Sequence, residues 1–242
     1  PSRAPASRAA ADRRAPDPLA RHPAGASSAD AVGDRARSAA LAHRPAPPVR
    51  AAPRPIAAGA YDLGSRVVPS APGHHATIRA LVRWPADAKR GERLPVAFLV
   101  HGNNGVCRSA AGVDRCGREA AISGTCRPGE TPTPNAQGLI WLAERLAAAG
   151  WVAVTIDANT VNCSGLPIVV QGRSRLVVEH LRLWGVWQAH HESPKGLHAV
   201  PLADLTRVAL VGHSNGAEAV VRVPDTLAAY AWDPRVHALR IR

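Results

Sequence analysis

One short string in the sequence could do covalent chemistry: Gly212-His213-Ser214-Asn215-Gly216. It fits the pattern G-x-S-x-G, and its setting matters as much as its letters. Val208, Ala209, Leu210 and Val211 lead into it as a buried-strand run, and Ala217, Ala219, Val220 and Val221 leave it at helical spacing. A serine hydroxyl is a weak nucleophile until a base can reach it. A sharp turn from strand to helix would lift the Ser214 hydroxyl clear of the backbone. It would also aim the first N–H groups of the helix at a developing oxyanion. Glycine suits positions 212 and 216 because a Cβ at either would crowd such a turn.

The elements that must hold this turn can be read upstream. Residues His75 to Trp84 alternate as a half-exposed strand does. Leu94 to Val100 is a compact apolar run, the mark of a strand buried on both faces, and it discharges into His101-Gly102-Asn103-Asn104-Gly105. Residues 106 to 134 form a long polar insertion. Asn135 to Gly150 reads as a helix with Leu139, Ile140, Leu142, Leu146 and Ala147 on one stripe and Gly150 as its C-cap. Trp151 to Ile156 is a further buried strand, ending at Asp157. Ile168 to His190 reads as a long amphipathic helix with Val169, Leu176, Val177, His180, Leu181, Leu183 and Trp184 inward. Alternation of unalternating apolar strands with helices predicts an α/β fold with a mainly parallel sheet and helices on both faces. Sites in such sheets lie outside the carboxyl ends of the strands. There the HGNNG loop, Asp157 and the Ser214 turn would converge.

Composition limits the alternatives. The formal charge is +12, with 28 arginines and lysine only at Lys89 and Lys195. Residues 1 to 58 hold ten of the 22 prolines and ten arginines against four aspartates. With almost no large apolar side chains, this leader cannot offset its ordering entropy and is expected to be disordered. No aromatic residue interleaves its arginines, which argues against a nucleic-acid partner. A polyanion-binding role would show as salt-dependent binding lost with residues 1 to 58. No apolar run reaches the roughly 20 residues a membrane helix needs. The glycine-rich loop lacks both the P-loop lysine and G-x-G-x-x-G, and no metal-ligand set stands out, so no cofactor and no metal are expected. The four cysteines, Cys107, Cys116, Cys126 and Cys163, are clustered in an otherwise cysteine-free chain. That favours disulfides and an oxidising compartment, with three pairings open.

On HGNNG after one buried strand and GHSNG after a later one, the chain resembles the α/β-hydrolase superfamily. GHSNGAEAVV is similar to the elbow of secreted actinobacterial lipase, cutinase and polyester-hydrolase relatives. The resemblance covers about residues 59 to 242. It implies Ser214 as nucleophile, with the backbone N–H groups of Asn215 and Asn103 as oxyanion donors. His101 would be structural, and His213 a packed or substrate-facing imidazole. The implied substrate is a small-molecule, lipid or polymer ester, and the implied location is secreted or otherwise extracytoplasmic. In this superfamily the acid and then the histidine follow the serine. Here the only late candidates are Asp225, Asp233 and His237, too early for those positions. Asp157 is a noncanonical candidate acid or a loop cap. The resemblance therefore implies the N-terminal part of a hydrolase domain with its C-terminal strands missing, poorly soluble and of low activity by itself. The alternative is a non-catalytic protein of the same fold that binds a ligand or partner.

Overall fold

A computed structural model describes residues 52–67, 75–117, 125–163 and 168–229. Eight strands and four α-helices follow in order. They are β1 (Ile56–Val67), β2 (His75–Pro85), β3 (Leu94–Val100), β4 (Cys107–Ser109), β5 (Asp114–Arg115), β6 (Glu130–Pro132), α1 (Ile140–Ala148), β7 (Val152–Ile156), α2 (Ile168–Ala189), β8 (Ala203–Gly212), α3 (Asn215–Val221) and α4 (Val223–Ala229). The main sheet has the order β1-β2-β7-β3-β8. Strands β7, β3 and β8 run parallel, and β2 and β1 extend the sheet antiparallel. The architecture is α/β, as expected, with the parallel half carrying the chemistry-bearing loops. The arginine-rich stretch 1–51, and Asp233 and His237, lie outside the described residues.

The continuous apolar runs follow from burial on two faces. Along β3, Val96, Phe98 and Val100 enter the larger core with Leu176, Val177, Leu181 and Trp184 of α2. Ala97 and Leu99 point the other way, with Ala153 of β7, against Ala143, Leu139, Ile140 and Leu146 around α1. All seven residues read as the inner stripe of α2 are buried. Helix α1 ends as read: Gly150 has φ of 89°. Its N–H donates to Ala147 O, and the Trp151 N–H donates to Leu146 O, closing a Schellman-type cap.

Two elements depart from the reading. Strand β1 begins at Ile56, inside the stretch read as leader. Its Ala-Ala-Gly-Ala run offers no contrast between faces, yet Ala57, Gly59, Tyr61 and Leu63 are the less exposed positions and Tyr61 is fully in the core. The insertion after β3 folds on itself as a small antiparallel sheet, β5-β4-β6. Two disulfides tie it down. Cys107–Cys126 closes the small sheet, and Cys116–Cys163 crosses to the loop after β7. Cross-links of this kind typically contribute about 2–4 kcal/mol.

The larger core contains a polar knot. The Trp184 indole N–H donates to Tyr61 Oη at 3.1 Å, and the Tyr61 hydroxyl and His180 Nδ1 share a hydrogen bond at 2.5 Å. Burial pushes the His180 imidazole down to about 3. The unfolded chain takes up this proton near pH 6.5 and the folded chain does not. Stability from His180 is therefore present above pH 6.5 and is lost as pH falls toward 3. Between pH 7 and pH 5 the single group should cost about 2 kcal/mol. Urea midpoints at the two pH values check this. His180→Gln, which keeps an acceptor for Tyr61, should flatten the difference; an unchanged difference would remove His180 as its source.

Candidate active site

Ser214 stands between β8 and α3 with φ of 54° and ψ of −128°. An L-residue avoids positive φ unless its surroundings enforce it. Here the enforcement is steric. An ideal Cβ on Gly212 would lie 2.2 Å from Gly216 O, and one on Gly216 would lie 2.3 Å from Val100 O. The strand end, the turn and the second helical residue thus pass each other at backbone contact. The turn is pinned by His213 N–H to Val100 O at 3.0 Å, Gly216 N–H to His213 O at 2.9 Å and Ala217 N–H to Ser214 O at 2.8 Å. Ser214 occupies the N-cap position but makes no side-chain capping bond, and it is exposed. Its hydroxyl is not spent on the helix.

The HGNNG loop lies directly against this turn. An ideal Cβ on Gly102 would stand 2.8 Å from Ser214 Cβ. His101 is buried, and both its ring nitrogens are engaged. Nε2 accepts from the Ala158 N–H at 2.9 Å, which leaves Nδ1 to donate to Gly102 O at 2.8 Å. Burial holds its pKa below the ordinary range. A neutral imidazole bonded at both edges is a structural pin for the loop, not a base. His213 is exposed beside Ser214.

Asp157 has its oxygens committed. Oδ1 accepts from the Asn159 N–H at 2.9 Å, an Asx turn that caps the loop, and Oδ2 accepts from Arg79 at 2.8 and 3.0 Å. Asp225 is exposed in the first turn of α4.

The loop is held by amides that the sequence reading did not single out. Asn162 Nδ2 donates to Asn104 O at 2.9 Å, and Asn135 Nδ2 donates to Gly105 O at 2.9 Å and Asn159 Oδ1 at 2.7 Å. The Cys163 N–H donates to Asn103 Oδ1 at 2.8 Å. Beneath them Arg173 of α2 is fully buried. Its Nε donates to His101 O at 3.2 Å, Nη1 to Val169 O at 3.0 Å and Nη2 to Gly102 O at 3.0 Å and to Asn162 Oδ1. The signal for Arg173 was present in the sequence. It falls four residues after Val169 and four before Val177, on the stripe already read as inward, where a guanidinium must find acceptors.

No family model matches the sequence, and no curated protein matches it. Among solved structures, the chain is similar to brefeldin A esterase, a bacterial homologue of human hormone sensitive lipase. That match has 17% identity over 87% of this chain and 45% of the other, with a TM-score of 0.41. It is also similar to esterase Est22, at 11% identity over 73% of this chain and 40% of the other, TM-score 0.42. A structure of Est22 with p-nitrophenol aligns at 13% identity over 85% and 48%, TM-score 0.40. The chain spans less than half the length of these structures.

Proposed function

We propose that the protein is a serine ester hydrolase of the α/β-hydrolase type that works through an acyl-serine intermediate. One observation carries this: an exposed serine held at positive φ between a parallel strand and a helix, in contact with a glycine loop leaving the neighbouring strand. In this reading Ser214 Oγ attacks the ester carbonyl carbon while its proton passes to a general base. The carbonyl electron pair moves to oxygen, and the N–H groups of Asn103 and Asn215 donate to that oxyanion. Collapse expels the alkoxide, which takes up the proton as an alcohol. Water then attacks the acyl-serine and releases the acid. No cofactor enters these steps. The substrates are small-molecule, lipid or polymer esters. The two disulfides support an extracytoplasmic location.

A fluorophosphonate probe tests the reading. It should form one covalent adduct, mapped to the peptide holding Ser214 and lost in Ser214→Ala. An unlabelled, folded wild-type protein would overturn it. That outcome would favour the second reading, a ligand- or partner-binding protein of the same fold. This alternative draws on His101 and Asp157, whose polar atoms are already engaged within the protein.

A further inference from the structure

The fully buried guanidinium of Arg173 has carbonyl and amide oxygens as its partners. Two of its contacts fall on consecutive peptides of one loop, at His101 O and Gly102 O. The second is the more consequential. Gly102 O and the Asn103 N–H belong to the same peptide, and in a trans peptide they point in opposite directions. Gly102 O is drawn inward by Arg173 Nη2 at 3.0 Å and by His101 Nδ1 at 2.8 Å. The Asn103 N–H is thereby turned away from Arg173. A cation on the carbonyl end also polarises the amide and strengthens the donor at its other end. The guanidinium is itself aligned by Val169 O behind it and Asn162 Oδ1 beside it. Its fork meets the oxygens of two consecutive loop peptides as well as Val169 O and Asn162 Oδ1, a geometry the single ammonium of lysine cannot reproduce.

We propose that Arg173 is a positioning residue for oxyanion stabilisation: it locks and polarises the Gly102–Asn103 peptide so that the Asn103 N–H serves the charge that develops at Ser214. This rests on the hydrolase reading above. Arg173 touches no substrate. Its effect should appear in the chemical step and not in ground-state binding.

The test uses the full chain, p-nitrophenyl butyrate as substrate and a fluorophosphonate to titrate active sites, so that rates refer to folded, reactive protein. Arg173→Gln should lower kcat about 10- to 100-fold with KM within about twofold, a part of the 10²- to 10³-fold loss that follows removal of an oxyanion donor. Arg173→Lys, able to bond one carbonyl, should recover part of that loss. A purely structural role would lower the melting temperature and the titrated fraction and leave kcat per titrated site unchanged. Where the arginine variants do not fold, Asn162→Ala keeps Arg173 but removes its lateral support, and should lower kcat about 3- to 10-fold. Wild-type kcat per site in a folded Arg173→Gln or, failing that, in Asn162→Ala overturns the positioning role alone. A wild-type protein that the phosphonate does not label overturns the hydrolase reading together with it.

Discussion

With Ser214 as the proposed nucleophile, Ser214→Gly should abolish ester cleavage and raise the melting temperature. The two effects have one cause. Ser214 holds φ of 54° and ψ of −128°. Such a backbone state costs a residue with a Cβ about 1–3 kcal/mol. Glycine adopts it freely but adds about 0.5–1 kcal/mol of unfolded-chain entropy. The serine side chain makes no capping bond, so no hydrogen bond to the helix is lost. The net gain should be about 1 kcal/mol, or roughly 2–4 °C for a domain of this size. Whatever ester cleavage the wild type shows should fall to background, as it does when a catalytic serine is removed elsewhere. Ser214→Ala should lose the same activity with no gain in melting temperature, because its Cβ keeps the strain. Calorimetry on the three proteins decides the point. A Ser214→Gly variant that melts at or below the wild type would mean that the turn stores no strain.

Gly216→Ala should prevent stable folding, at a loss of more than about 4 kcal/mol. The added Cβ would lie 2.3 Å from Val100 O and 2.8 Å from His101 O. Both obstacles are backbone carbonyls at the end of β3, so no flexible side chain can give way. Either the helix start retreats from β3 or the HGNNG loop leaves its place. Gly138→Ala is the control: nothing lies within 4 Å of its Cβ. That change should be neutral or stabilise by about 0.4–1 kcal/mol through the unfolded chain. Urea midpoints for the two variants check the contrast. Equal midpoints would mean that β3 and α3 do not cross at backbone contact.

The parts that were legible from residues share a property: the local pattern and the tertiary environment agree. Strands β3 and β7 read as unbroken apolar runs because both faces are covered. The inner stripe of α2 followed from spacing alone. Strand β1 was missed because Ala57, Gly59 and Ala60 differ too little from their neighbours for alternation to show. Its place is set by pairing with β2, the next strand in the chain, and by Tyr61 entering the core beside His180 and Trp184, which are distant in sequence. Disulfide pairing was undecidable because four cysteines fit three patterns equally well. Arg173 was passed over for a different reason. A charged side chain is ordinarily found at the surface, and the carbonyls that satisfy this one lie about seventy residues upstream.

The bond between Cys116 and Cys163 bears on when the protein could become competent. Cys163 lends its N–H to the Asn103 side chain, next to the peptide proposed to receive the oxyanion. None of the four cysteines lies in the main sheet, α1 or α2, whereas this last tether is itself made by oxidation. A chain matured among reduced thiols would carry its nucleophile on a finished scaffold beside an unfinished loop. Preparations made with and without an oxidising folding environment should then differ in turnover per reactive serine well before they differ in helix content.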